Sequence, residues 1–550
     1  MCRVSLAVIS AKWTQLLKST TNNERRTVHL TDIDGSDEGS IQQIEAVNLF
    51  LKIAGLYKNS EGEFIEPITQ GQECQNVMLV PGLAGTGKSF LIDCLVTEAV
   101  ERYHEKTGIE GYILILAPTG KAALAVGGAT LQSSQGLSVP TQKLESKETN
   151  IYKNGSVALT NLQRRLNYLG RVAPGCKHLI GVVMDEYSML SSAQMYWLSS
   201  RLSQGVAYNG DGYFGGVPIA FFGEPGQLAP VGGAQLWAGK TLEGKPLGAL
   251  ATIGHQIYMK IQSVTWLTHV RRQKGEFREV LGRLRDGKNT EADWLYLNTH
   301  CALENFSPEK RLTFNSSETT WIYETNIECH KKNCQQLLHL RMPVCCIEAE
   351  HDSSSSARKS TEQCRRLASK LYLATGAKIM LLWNICTSKG LVNGSIGTLV
   401  DIIYKEGACA PSLPQFLIIE FPDYNGTPFF SGNGREKWIP LRPEQYDFEN
   451  HYRKQFPISL LWALTAWKAQ GLTCRTNVFA VIGDHEKSSG LTYVVTSRNT
   501  EVEQLCIGKA LSLDRLTTEI SKSKSLQVRL LEDNRLRELW RRTKTFYSRF

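Results

Sequence analysis

Apolar residues along this chain fall into two rhythms. Four runs are continuous: Val77-Met-Leu-Val80, Tyr112-Ile-Leu-Ile-Leu-Ala117, Leu179-Ile-Gly-Val-Val-Met184 and Val217-Pro-Ile-Ala-Phe-Phe222. A strand that is apolar on both faces suits the interior of a parallel sheet covered by helices. Amphipathic runs separate them, among them residues 42 to 51 and the stretch that opens at Phe90, and this alternation predicts an α/β fold. Residues 377 to 382 and 478 to 482 are further buried-strand candidates flanked by helical runs, so a second α/β unit is predicted. From about 392 to 456 the pattern changes: short strands such as Phe416-Leu-Ile-Ile-Glu-Phe421 alternate with Pro and Gly turns, which predicts a small barrel.

Polar groups gather where the apolar runs end. The first run leads into Gly82-Leu-Ala-Gly-Thr-Gly-Lys-Ser89, a strand, glycine loop and helix in the order a phosphate-binding loop requires. Gly82, Gly85 and Gly87 permit backbone angles closed to other residues, so successive N–H groups can surround an anion at a helix start. Lys88 then supplies charge to the β- and γ-phosphates, and the Ser89 hydroxyl can ligate Mg²⁺. The second run ends at Pro118-Thr-Gly-Lys-Ala122, the third at Asp185-Glu186, and the fourth at Gly-Glu-Pro-Gly-Gln227. Ligands of open α/β sheets bind at the carboxyl ends of strands, so one nucleotide site would collect all of these groups. Asp185 is placed to hold Mg²⁺, Glu186 to polarise an attacking water, and Gln227 to sense a γ-phosphate through its amide. Gln43, upstream of the loop, can read an adenine edge.

Bulk properties narrow the field. A chain of 550 residues predicts two to four domains, and no apolar run reaches the ~18 residues of a membrane span. The net charge is +9 and uneven: residues 521 to 550 hold nine Lys/Arg against three Asp/Glu, which favours a polyanionic partner. Fourteen cysteines without a C-x-x-C pair read as reduced, ordinary thiols, those of the Cys329, His330, Cys334 group included. Residues 1 to 39 are weakly patterned and read as a frayed terminus, and Asp352-Ser-Ser-Ser-Ser-Ala357 reads as a flexible surface loop.

The motifs GLAGTGKS, APTGKAALAVGGATLQS (117 to 133), DEYSML (185 to 190), FFGEPGQLAPV (221 to 231), LTHVRRQ (267 to 273), IYETNIECHKKN (322 to 333), LATGAKIMLLWNICTSKGLVNGSIGTLV (373 to 400), LLWALTAWKAQGLT (460 to 473) and YVVTSR (493 to 498) follow one another in that order. Together with Gln43 they resemble the PIF-one DNA helicases, relatives of RecD in superfamily one, over about residues 40 to 510. The resemblance implies two RecA-like P-loop domains with parallel sheets and ATP between them, plus a small wedge insertion and a small β-barrel insertion. The implied division is an extension at 1–39, a first RecA-like domain at 40–260 with the wedge at about 135–171, a second at 261–392 and 456–515, the barrel at 393–455, and a basic helix or tail at 516–550.

It also implies roles. Gln43, Gly82, Gly85, Thr86, Gly87, Lys88, Ser89, Gln470 and Gly471 would bind ATP, with Mg²⁺ on Ser89 and Asp185. Lys88, Asp185, Glu186, Gln227, Arg272 and Arg498 would carry hydrolysis, the arginines reaching from the second domain, with Arg271 a surface neighbour. Thr119, Lys121, Gln132, Ser133, Thr465, Trp467 and Lys468 occupy strand-contact motifs. Trp467, Gln132, Ala469 and Glu224 depart from the family pattern, which commonly has His, His, Ser and Asp there. The implied activity is an ATP-dependent DNA helicase moving 5′ to 3′ on single-stranded DNA and at single-strand/duplex junctions, serving repair, recombination or telomere maintenance. The expected state is a nuclear monomer. A mitochondrial location is the alternative, since Arg3, Lys12 and Lys18 precede the first acidic residue, Glu24. A DNA translocase that does not separate strands and an RNA motor of the same superfamily stay open as alternatives.

Overall fold

The computed structural model describes residues 12–13, 26–68, 74–131, 178–205, 213–230, 233–241, 244–316, 318–361, 363–386, 389–448, 451–470, 472, 474 and 476–549. The expected wedge at 135–171, together with Gln132, Ser133 and Gly471, lies outside the described residues. Compactness groups Arg25–Asn305, Gln470–Arg475 and Ile482–Phe550 in one unit and Met1–Glu24, Phe306–Ala469 and Thr476–Val481 in another.

The larger unit is built on six strands: β1 (Val77–Pro81), β2 (Gly111–Ala117), β3 (Ala129–Thr130), β4 (His178–Met184), β5 (Ile219–Gly223) and β6 (Ser263–Val264). All are parallel, in the order β3-β2-β4-β5-β1-β6. The four continuous apolar runs are β1, β2, β4 and β5. The fourth begins two residues later than the pattern suggested, because Pro218 has no N–H to give to a central ladder. Side chains alternate between two faces. Val77, Leu79, Val182, Met184, Ile219 and Phe221 enter one core, and Met78, Val80, Val183, Ala220 and Phe222 the other. Burying each of the larger side chains contributes roughly 2 kcal/mol, which explains why both faces are covered. The register sets Pro81 opposite Gly223 and Met184 opposite Phe221, so β1, β4 and β5 end at nearly one level.

The last helix, Lys524–Tyr547, belongs to this unit. Leu536 and Leu539 join the first core and Tyr547 the second. Thr543 Oγ1 accepts the Val264 N–H at 3.1 Å, which ties the helix to the outermost strand, β6. Its basic residues Arg541, Arg542 and Lys544 point outward. Together with β6, this helix draws residues 261 to 305 and 482 to 550 to the sheet, whereas the motifs had suggested a boundary near 260.

The smaller unit has a parallel trio, with Thr320–Tyr323 between Ala463–Thr465 and Val478–Val481. It also has a five-stranded antiparallel sheet in the order Trp438–Leu441, Phe416–Glu420, Ile396–Ile403, Lys378–Leu381, Ile458–Leu460. This sheet reaches past both ends of the expected 393–455 insertion. The serine-rich stretch is no loose loop: Ser354–Ala357 is a turn of helix capped by Ser353. Its carbonyls are held by Arg453, a contact from distant sequence that low complexity hides. Trp13 is 5% exposed, and its indole donates to Pro440 O at 3.0 Å, so this part of the weakly patterned start is packed. No helix among the described residues is long and apolar enough to cross a membrane.

Candidate active site

The turn after β1 is shaped by two glycines. Gly85 and Gly87 take φ of +85° and +84°, a region that side chains other than hydrogen rarely enter. A Cβ on Gly85 would sit 2.4 Å from Arg272 Cβ, so the loop and the arginine segment are in direct contact. The Arg271 N–H donates to Gly85 O at 2.9 Å. Gly87 caps the helix Lys88–Thr107, whose first N–H groups face the loop and favour an anion. Lys88 Nζ donates to Gly82 O at 2.9 Å and Leu83 O at 3.0 Å.

Asp185 and Glu186 follow β4. Asp185 accepts the Glu186 N–H at 2.9 Å, and Glu186 has a left-handed φ of +50°, a strained geometry for this residue type that concentrates at functional sites. Burial and the neighbouring Glu186 charge push the Asp185 carboxyl up to about 7, against the pull of Lys88. Burial also raises Glu186, with Glu224 adding to it and Lys88, Arg498 and Arg272 opposing. Glu186 Oε2 and Gln227 Oε1 are buried without a hydrogen-bond partner. Two adjacent carboxylates of raised pKa, Asp185 buried and Glu186 half-buried with an unsatisfied oxygen, beside a hydroxyl and a lysine fit a hydrated divalent cation carried by a polyphosphate.

The arginines arrive from two segments. Gln273, 2% exposed, donates to Ser497 O at 3.2 Å and Asn499 O at 2.8 Å and so ties them together. Arg498, 1% exposed, is held by Val494 O at 2.6 Å and Ser497 Oγ at 2.7 Å. Arg272 reaches Ser497 O at 3.5 Å. Burial lowers the pKa of both arginines, and for Arg272 the nearby Arg498 adds to it, as expected for two cations aimed into one space. Arg271 turns away to Asp37, 3.0 Å, and Ser40, 2.8 Å.

These groups line one cleft of about 370 Å³: Ala84, Gly85, Gly87, Lys88, Ser89, Phe90, Asp185, Glu186, Gln227, Arg271, Arg272 and Arg498. All twelve belong to the larger compact unit. The size suits a small-molecule ligand, and the charge pattern, cations and a positive helix end facing two carboxylates, suits a nucleotide with its metal.

A family model described as an AAA domain matches residues 67–233. Over 478 residues the chain is 26% identical to the ATP-dependent DNA helicase PIF1 of Danio rerio, an overlap of 86% of this chain and 64% of that protein. Over 402 residues it is 27% identical to the ATP-dependent DNA helicase Pif1 of Bdellovibrio bacteriovorus, covering 72% of this chain and 76% of the relative. Its fold matches the Pif1 helicase from Candida albicans with a TM-score of 0.60 at 21% identity, over 90% of this chain and 98% of that one. The chain is Pif1-like. The Pif1 helicase from Bacteroides in complex with ADP-AlF3 and ssDNA matches with a TM-score of 0.55 at 20% identity, over 84% of this chain and 92% of that one. At these identities the solved structures speak for a shared fold. The chain spans less than two thirds of the zebrafish relative's length.

Within this Pif1-like frame, not every expected residue reaches the cleft. Gln43 is buried behind the loop, and its amide donates to Thr86 O at 3.1 Å. Gly82 and Thr86 form the loop's inner side, where Thr86 Oγ1 donates to Leu83 O at 3.0 Å. Gln470 is buried with its Nε2 unbonded and does not line the cleft. Thr119, exposed at the end of β2, caps the helix Gly120–Ala125 that carries Lys121. Thr465 ends a strand of the smaller unit, and Trp467 and Lys468 follow in the short helix Ala466–Ala469.

Sequence reasoning missed Gln273, which sat inside a quoted motif without a role, and Arg285. On the helix Gly275–Asp286 the buried residues are Phe277, Val280, Leu281, Leu284 and Arg285. An arginine in the apolar phase of a helix was the available signal. It also explains Glu224: the carboxylate accepts from Tyr493 OH at 2.7 Å, Arg285 Nε at 3.2 Å and Gln227 Nε2 at 3.4 Å.

Proposed function

We propose that the chain is an ATP-dependent DNA helicase that moves 5′ to 3′ along single-stranded DNA and separates duplex ahead of it. What carries this reading is the convergence of motif residues scattered from Gly85 to Arg498 on one cleft. The loop N–H groups and Lys88 bind the phosphates, and Glu186 orients and polarises the attacking water. Gln227 contacts the γ-phosphate, and Arg272 and Arg498 stabilise charge that develops as it leaves. Ser89 and Asp185 would hold Mg²⁺, which when bound draws charge from the phosphate oxygens. Thr119, Lys121, Gln132, Ser133, Thr465, Trp467 and Lys468 are the proposed strand contacts, hydroxyls and lysines on phosphates and the indole on a base. DNA as substrate and strand separation come from likeness to relatives named DNA helicases, and direction rests on the motif resemblance alone.

The test is strand displacement by the full chain on duplexes with a 5′ or a 3′ overhang, beside ATP hydrolysis stimulated by matched single-stranded DNA or RNA. Displacement is expected only from the 5′ overhang and stimulation chiefly by DNA. Lys88→Ala is expected to abolish hydrolysis while leaving the circular-dichroism spectrum unchanged, and full activity in that variant overturns the reading. Hydrolysis without displacement would identify a translocase, and preferential RNA stimulation an RNA motor.

A further inference from the structure

Behind Gln227 lies a buried chain of charges that the cleft chemistry does not use. Arg285, with its side chain 3% exposed, bonds Glu224 through Nε and Asp533 through NH1 at 2.8 Å and NH2 at 3.3 Å. Asp533, on the helix Lys524–Tyr547, also accepts from Arg529 NH1 at 2.8 Å, and Arg529 NH2 donates to Arg285 O at 2.6 Å. The backbone of the Gln227 turn rests on this guanidinium, because a Cβ on Gly226 would lie 2.7 Å from Arg285 Nε. Burial disfavours the Arg285 charge, yet Asp533 and Glu224 hold its pKa well above the usual value. Burial and Glu224 keep Tyr493 protonated and so a donor. Of the Gln227 amide, the nitrogen side is bonded to Glu224 and the oxygen side is the unsatisfied atom.

We propose that Asp533, acting through Arg285 and Glu224, is a positioning residue for Gln227, so that the helix Lys524–Tyr547 sets the hydrolysis rate of nucleotide in the cleft. This rests on the reading of the cleft as an ATP-hydrolysing site. A buried charge pair fixes geometry when every member is satisfied, and losing one partner leaves the next free to turn. The glutamate at 224 suits the role, since its carboxylate reaches Tyr493, Arg285 and Gln227 at once.

The test is steady-state ATP hydrolysis by the full chain at saturating single-stranded DNA, with thermal melting of each variant. Asp533→Asn and Glu224→Gln are expected to lower kcat about tenfold while KM for ATP stays within about twofold, the mark of an interaction realised in the transition state. In a Gln227→Ala background the same changes are expected to have no further effect on kcat, because a relay has nothing left to position. Should Asp533→Asn not fold, Tyr493→Phe removes one donor to Glu224 and keeps the ring, and about a threefold fall in kcat is expected on the same pattern. Variants with lower melting temperatures but wild-type kcat per folded molecule overturn the proposal, as do kcat losses that multiply with Gln227→Ala. A wild-type chain that binds DNA but never hydrolyses ATP overturns the helicase reading itself, and the relay with it.

Discussion

Two buried clusters of polar groups, one in each unit, are finished to different degrees. In the smaller unit Arg453 is fully buried, and its guanidinium donates to four backbone carbonyls: Leu367 O, Ser356 O, Ala357 O and Lys359 O, at 2.9 to 3.2 Å, leaving only Nε unbonded. In the larger unit the cleft carries Lys88, Arg272, Arg498, Asp185 and Glu186 around open volume, with carboxylate and amide oxygens left without partners. Both arrangements are energetically demanding, since an unbonded buried polar group weakens a fold by about 1–3 kcal/mol. The first satisfies nearly every donor and holds a chain segment in place. The second leaves groups unsatisfied where a ligand's charge can complete them. Completion, more than burial or charge, separates scaffold from site.

The largest effect expected from breaking this contrast is on the unfinished side. Arg272→Ala is expected to lower kcat for DNA-stimulated hydrolysis by about 10³-fold, the range for arginines that stabilise phosphoryl transfer, with little change in melting temperature. A next, opposite outcome is expected for Arg453→Met, which removes the guanidinium from four backbone carbonyls, two of them in buried contacts and two in part-buried ones. That change should lower stability by roughly 3 kcal/mol in urea titrations while the hydrolysis rate of folded protein is unaltered. If instead Arg453→Met lowered kcat and Arg272→Ala lowered stability, the distinction would fail.

The smallest effect concerns Asp37, which caps the helix Glu38–Ile53 and pairs with Arg271. Its carboxyl is held down to about 2 by the Ser40 N–H, with the Ser40 hydroxyl and Arg271 adding to it. A depressed pKa contributes stability above the free carboxyl's ~4, and that contribution is lost as pH falls through the folded value. The melting-temperature gap between wild type and Asp37→Ala should therefore be flat above about pH 5 and close between about pH 4 and pH 2.

Much of the larger unit could be read in advance because its signals are local. Continuous apolar runs announced β1, β2, β4 and β5, and the glycine loop announced its own turn, since φ near +85° at Gly85 and Gly87 is a demand made on single residues. Lys88, Asp185, Glu186 and Gln227 follow strand ends and needed only the sheet's topology to meet. The burial of Arg285 was open to a reading of helix phase, but its partners were not: Glu224 and Asp533 lie 61 and 248 residues away, and no periodicity couples such positions. Arg453 and the serine-rich stretch it holds show the same limit, because composition suggested a loop that a distant guanidinium orders. Gln43 was found for its amide, yet that amide faces a loop carbonyl and not the cleft. The Glu-for-Asp departure at 224 was visible as a difference, and only the three donors around it give the difference a meaning.

The tie between Thr543 and Val264 carries a consequence for how the polypeptide is born. Lys52 Nζ reaches Tyr547 O at 3.0 Å, across a separation of 495 positions in chain order. Vectorial synthesis therefore delivers the nucleotide loop and the sheet long before the helix that covers the outermost strand. Until residue 547 emerges from the ribosome, that sheet margin and the core faces that receive Leu536 and Leu539 lack the cover this helix gives them.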